Sequence, residues 1–450
     1  MKRLLLLCAT LAAATASAGE RLKIPYQMFR LANGLTVIVH EDHSVPIATV
    51  NTWYHVGSSR ERPGRTGLAH LFEHLMFEGS KNVPEGSFDR WLEAVGGSNN
   101  ASTSADRTDY YENVPVNALE LPLFLESDRM ASLVDTMTPA RVDGQRDVVK
   151  NERRQTHENA PYGMADIYIH QALYPEGHPY HWPVIGSMED LTAASHEDIA
   201  DFFRRYYAPG NASVVIAGDV DAREVRALAE KWFSDVPAGA PVPPLVAPPV
   251  TLLAEKRLVY EDQVELPRLY LVWPTPPFFS PSDAALDGLA SVLAGNKNAR
   301  LYKRLVYERQ VAQEVFAYQA SAALGSTFVI AVTARPGHDL EEMRAAVDEE
   351  IGKLLSEPPT PRELERFLNG AEASFLTELE TNAGKAARLN HYYYFTRNPD
   401  YFEEDLSRYR ALDPEDVQAA ARLLGPGRVA LSAVPAGRTA LALKESAVAK

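Results

Sequence analysis

Of 450 residues only one is a cysteine, Cys8, and it lies within the first ten. Downstream of it no thiol exists, so neither disulfides nor cysteine-bound metal can hold the folded chain. Any metal must be gripped by histidine and carboxylate. Long apolar runs are missing too: after the N-terminal segment no stretch offers the ~18 unbroken apolar residues of a membrane-spanning helix. Basic residues are scarce against acidic ones, 45 Lys and Arg to 60 Asp and Glu, for a formal net charge of −15. A surface of that sign repels nucleic acid and anionic membrane, and argues against membrane insertion.

The chain opens Met1-Lys2-Arg3, continues apolar from Leu4 to Ala14, and then reads Thr15-Ala16-Ser17-Ala18. A basic start, a short apolar core and an A-x-A ending predict a secretory signal over 1–18, and hence an exported, periplasmic protein. The alternative is a buried N-terminal helix. A chain of this length predicts two or more domains with sizeable cores.

Residues 237–249 are rich in proline and carry no charge. They read as a semi-rigid linker between an N-terminal domain, 19–236, and a C-terminal one, 250–450. The halves echo each other. Gly67-Leu68-Ala69 is matched by Gly288-Leu289-Ala290, and Thr138-Pro139 by Thr360-Pro361, at nearly equal offsets. Equal offsets suggest a duplicated fold. Leu35–Val39 and Ile47–Tyr54 are β-branched or aromatic runs joined by a polar turn, which predicts a hairpin. Ala212–Ala217 is a further strand, and Asp221 to Glu224 predicts a capping box opening a helix through Lys231. Amphipathic helices are predicted over Leu119–Leu133, Pro139–Glu158 and Pro361–Leu379. This order implies an α+β fold, with helices packed on one face of each sheet.

The most informative stretch is Thr66 to Phe77. It contains His70-Leu71-Phe72-Glu73-His74, the H-x-x-E-H order of inverted zinc-peptidase helices. In a helix His70 and His74 stand one turn apart on one face and can share an ion, with Glu73 bordering that face. The competing reading is a pair of hydrogen-bonded core histidines. Two histidines and a glutamate on one otherwise apolar turn favour metal, because unpaired buried charge is expensive. A catalytic zinc has three protein ligands and one open position. Read by composition alone, Glu152 is one of several acids on its helix, and a solvated surface role fits it equally.

With Glu152 inside Val148-Val149-Lys150-Asn151-Glu152-Arg153-Arg154, downstream of His74, the pattern resembles the pitrilysin/insulinase family of zinc peptidases, in its short two-domain form. Gly96 to Thr103, Asp106 to Tyr111, Glu158 to Gly163 and Gly218-Asp219-Val220 carry the likeness across the rest of the chain. The resemblance implies two homologous domains, each a mainly antiparallel sheet with helices on one face. It implies one Zn2+ held by His70, His74 and Glu152, with Glu73 as general base in peptide hydrolysis. It also implies that Asn100, Ala101, Ser102 and Thr103 form an edge strand to which a peptide substrate adds. By composition alone that segment reads as readily as a polar loop. His55, His157, His178 and His181 lack ligand spacing and are read as structural, and Tyr392 to Phe395 as core.

The chain departs from the family at two places. Active members carry, in the second half, an Arg and a Tyr seven residues later that contact substrate. In the register of Arg300-Leu301-Tyr302 these positions hold Val306 and Gln313. The expectation is a heterodimer in which a homologous chain supplies the pair. A milder departure is Gln145, where many members have Glu. Two other functions stay open: a non-catalytic core or scaffold subunit, and a peptide-binding protein without turnover.

Overall fold

A computed structural model describes residues 22–449. The secretory signal expected over 1–18 lies outside them. Among the described residues no helix is long and apolar enough to cross a membrane.

Two six-stranded sheets organise the chain. The first is built from β1 (Gln27–Arg30), β2 (Thr36–Glu41), β3 (Ile47–Tyr54), β4 (Ser98–Thr103), β5 (Thr108–Pro115) and β6 (Ala212–Gly218). The second is built from β7 (Lys256–Asp262), β8 (Arg268–Thr275), β9 (Ala312–Ala320), β10 (Ser326–Ala334), β11 (Val429–Pro435) and β12 (Ala447–Val448). Their orders are β1-β2-β6-β3-β5-β4 and β12-β7-β11-β8-β10-β9. Apart from the short β1 and β12 the orders superpose strand for strand. Each has a parallel pair at the same place, β2 with β6 and β7 with β11, and β12 adds a second parallel pair beside β7. The duplication read from equal offsets is therefore a duplication of topology. Thr138 and Thr360 cap equivalent helices, Pro139–Arg153 and Pro361–Glu378, each with proline in the first turn.

The predicted hairpin between β2 and β3 does not form. β6 lies between them, parallel to β2 and antiparallel to β3. All seven residues of β6 are buried. A strand that apolar takes an interior position in the sheet, where both backbone edges are paired, and this overrides the local turn signal. Asp221 caps its helix, accepting the N–H groups of Arg223 and Glu224, without a reciprocal bond that would make a capping box.

Each sheet buries both faces, and the second cover comes from the other half. Along β6, Val214 and Ile216 face the first half's own helices, while Val215 and Ala217 face helix Asn382–Thr396 of the second half. Leu389 and Tyr392 of that helix are fully buried there. Reciprocally, Ala165, Ile169 and Leu173 of helix Ala165–Leu173 in the first half pack on Val272, Val329 and Leu431 of the second sheet. The helices are thus exchanged between halves. Full burial of a large apolar side chain contributes about 1.5–3 kcal/mol. Several on each side make the union comparable with a domain's net stability of about 5–15 kcal/mol. The Tyr392 to Phe395 segment is core to this exchange, with the Tyr393 hydroxyl on Thr36 Oγ1 at 2.8 Å.

Two largely buried histidines lie at that interface. His55 bonds Ser213 Oγ at 3.1 Å beside the rings of Tyr393 and Tyr394, and burial, aided by Arg397, pushes its pKa down to about 3. His391 on the exchanged helix is pushed down to about 3 by burial and by Arg388 and Arg107. Both folded values lie below the unfolded ~6.5, so the unfolded chain binds protons first as pH falls. Stability contributed above pH ~6.5 is then lost toward pH ~3, at up to about 1.4 kcal/mol per histidine per pH unit. Between about pH 6.5 and 4 the urea midpoint of His55→Gln should fall less with acidification than that of the wild type, because one histidine that protonates first in the unfolded chain is gone.

Candidate active site

The motif helix runs from Leu68 to Leu75 and sits on the first sheet's core face through Leu68, Ala69, Leu71, Phe72 and Leu75. It starts at Gly67, whose φ of 87° lies in the left-handed region. A Cβ there would come within 2.8 Å of the Ile185 carbonyl oxygen, so both conformation and space require glycine. With apolar residues on the core side, His70, Glu73 and His74 fall on the remaining face. The imidazoles are 4.9 Å apart, edge to face.

Helix Pro139–Arg153 packs against this one and brings in Glu152 from its last turn. Glu152 Oε2 lies 3.2 Å from His74 Nε2 and 3.7 Å from His70 Nε2. Ligand atoms of His70, His74 and Glu152 all fall within 4.8 Å of one another, and no other such trio occurs among the described residues. Ligands about 2.0–2.2 Å from a tetrahedral ion stand about 3.3–3.5 Å from each other, so the observed separations suit zinc. The donor set suits it as well: two imidazoles and a carboxylate, with no thiol. Immediately after Glu152 the backbone widens into a π-helical turn, Arg154–Glu158, a feature common at functional sites.

Electrostatics follow from burial. The His70 ring is enclosed, with Nδ1 lacking a hydrogen-bond partner, and desolvation pushes its pKa down to about 4 against the pull of Glu152. Its neutral form can donate a lone pair. Glu152 is held below the usual carboxylate range, first by its hydrogen bond with His74. Burial shifts Glu73 the other way, upward, opposed by the hydroxyl of Thr103. Thr103 Oγ1 donates to Glu73 Oε2 at 2.6 Å.

That threonine ends β4, the outermost strand of the first sheet, paired only with β5. Asn100 to Thr103 is thus an edge strand and not a loop. Ser104 N–H bonds the Arg107 carbonyl at 2.8 Å, which sets the alternation: Asn100 and Ser102 turn their backbone groups to β5. The outward groups belong to Asn99, Ala101 and Thr103. Ala101 N–H is met by the side chain of Asn100 at 2.8 Å. Asn99 was absent from the sequence expectation because the two-residue period needs a fixed phase, and the hairpin supplies it.

Of the other histidines, His157 sits close enough to influence His70 and Glu152 electrostatically but is outside the ligand trio. Gln145 donates to Glu78 Oε1 at 2.6 Å. In the second half, the helix matching the motif helix is Asp283–Ala294, carrying Ser291 and Ala294 where the first half has His70 and Glu73. Gln313 occupies the β-bulge between β9 and β10, and Val306 lies partly buried on a π-helical turn, Tyr302–Glu308. The neighbouring arginines are engaged within their own half: Arg300 on Glu363, Arg304 on Glu349 and Glu350, Arg309 on Glu342.

Fold and site together define a duplicated α+β metallopeptidase scaffold. The family profile described as "Insulinase (Peptidase family M16)" matches residues 36–179, and "Peptidase M16 inactive domain" matches 193–370. The chain belongs to this insulinase, or pitrilysin-type, family. It is 31% identical to the zinc protease PqqE of Helicobacter pylori over 82% of this chain and 83% of that one. It is 30% identical to the mitochondrial-processing peptidase subunit beta of Blastocladiella emersonii over 54% of this chain and 52% of that one. A crystal structure of a protease from Helicobacter pylori superposes with a TM-score of 0.85 at 27% identity, covering 91% of this chain and all of that one. The periplasmic protease PqqL of Escherichia coli shares the fold, with a TM-score of 0.75 at 18% identity, covering 95% of this chain and 50% of that one.

Proposed function

We propose that this chain is an exported zinc endopeptidase, the metal-bearing subunit of a heterodimer that hydrolyses peptides or small unfolded polypeptides. The observation that carries this is the convergence of His70, His74 and Glu152 beside Glu73. His70, His74 and Glu152 would hold the ion within the domain spanning 19–236. When bound, zinc supplies Lewis acidity, polarising a carbonyl and lowering the pKa of water to about 7. Glu73 takes the proton of the attacking water and returns it to the leaving amine. Thr103 fixes Glu73 Oε2, the oxygen that approaches His70, and so orients the carboxylate toward the ligands. The peptide aligns as a strand on Asn99, Ala101 and Thr103, with Asn100 and Ser102 flanking, and backbone pairing gives affinity with little sequence preference. Residues 237–249 would link this domain to the ligand-free one over 250–450.

Export rests on the leader-like composition of 1–18. The heterodimer rests on Val306 and Gln313, on arginines already engaged within their own half, and on the relative whose name makes it one subunit of a processing peptidase. The "inactive domain" match, over residues 193–370, begins beyond His70, Glu73, His74 and Glu152 and includes none of them. The purified chain should carry one zinc by elemental analysis, and His70→Ala and Glu152→Ala should lose it. Equal metal in wild type and both variants would overturn the reading, and a wild type that binds no zinc would favour the scaffold function. Thr103→Val should lower kcat about tenfold with zinc content unchanged, because it frees Glu73 without touching a ligand. Steady-state kinetics beside metal analysis would show the split.

A further inference from the structure

The motif helix is pinned at both ends by buried side chains from elsewhere in the chain. Gly67 has no side chain with which to cap it. Glu61 does so instead: Oε2 accepts Gly67 N–H and Oε1 accepts Ala69 N–H, each at 2.8 Å. Burial pushes this carboxyl up to about 8, while the backbone N–H donors of the helix start pull it toward the charged form. At the other end Arg129 Nη1 reaches the Met76 carbonyl at 3.4 Å. Arg129 is 1% exposed, fixed between Glu126 and Glu112 and against the rings of Tyr110 and Phe88. An acidic group at the N-terminus and a guanidinium at the C-terminus both match the helix dipole.

A helix of eight residues cannot hold itself; its position comes from its surroundings. The ligand geometry depends on that position. Glu152 belongs to a different helix, and a slide of one residue along the axis, about 1.5 Å, would carry both imidazoles out of register with it. We propose that Glu61 and Arg129 are positioning residues that fix the motif helix along its axis and thereby set the zinc affinity of His70, His74 and Glu152. This rests on the metallopeptidase reading above.

The test titrates zinc into the metal-free full chain against a chromophoric chelator and records the visible spectrum of the cobalt-loaded form. Glu61→Gln keeps size but sets an amide N–H against a backbone N–H; Arg129→Lys keeps charge but cannot span Met76, Glu112 and Glu126 together. Each should weaken zinc binding about 10–100-fold and shift the cobalt bands, as supporting residues around a metal do. Asp283→Asn removes an equally buried carboxylate in the second half, where it pairs with Arg408, and should lower the melting temperature without moving the zinc constant. Measurements are made on the folded fraction isolated by gel filtration, and Arg129→Lys decides if Glu61→Gln yields none. A zinc constant within about twofold of wild type and an unmoved cobalt spectrum would overturn the proposal. If His70→Ala binds zinc as tightly as wild type, the site itself fails, a different result from failure of the clamp.

Discussion

Glu73→Gln is expected to lower peptide hydrolysis by about 10²–10⁴-fold while the zinc content stays at the wild-type level. The reasoning is geometric. Glu73 stands outside the ligand trio, with its nearest approach to His70 Nε2 at 4.0 Å, so the amide removes the base and leaves the three ligands as they are. Thr103 can still donate to the amide oxygen, so the side chain keeps its place. Loss of turnover with retained metal separates a proton-transfer role from a ligand role. Glu152→Ala should behave oppositely, losing metal and turnover together. Were Glu73→Gln to cleave a fluorogenic peptide at the wild-type rate, another group would have to be moving the proton.

The metal helix was legible because its chemistry repeats with the helical period: two histidines four residues apart on a turn whose other positions are apolar. Glu152 was legible only through resemblance, since its helix also carries Asp143 and Asp147 and no period chooses among the three. The fold was readable as a duplication because Thr138 and Thr360 begin equivalent helices with the same dipeptide. What escaped was long-range. Nothing between Val39 and Ile47 announces that β6, more than 150 residues later, will separate β2 from β3. The exchange of helices was also missed, although β6 and β11 carry its signature: runs apolar on both faces require two covers, and each half alone builds one. Glu61 gave no signal at all. A lone glutamate between Arg60 and Arg62 reads as a solvated charge, and only the fold turns it onto the first turn of the motif helix.

The second large effect concerns the proposed partner. The purified chain should hydrolyse peptides at least about 100-fold more slowly than a mixture with a homologous chain that carries the Arg and Tyr. The magnitude is that of removing one donor at the developing oxyanion, and this chain lacks both. Its second half retains the mounting: Gln313 sits at a β-bulge, a device that re-aims a side chain, and Val306 on a π-helical turn. Valine has no donor, and the glutamine amide is a weaker partner for negative charge than the residues expected there. Three nearby arginines, Arg300, Arg304 and Arg309, are each neutralised by a glutamate of their own half. Reinstalling the pair as Val306→Arg with Gln313→Tyr should raise the activity of the chain alone, at unchanged zinc content, and more steeply with protein concentration if two copies must meet. Equal rates for the lone wild-type chain and the mixture would show that the site is complete within one chain, and the heterodimer would fall while the metal centre stood.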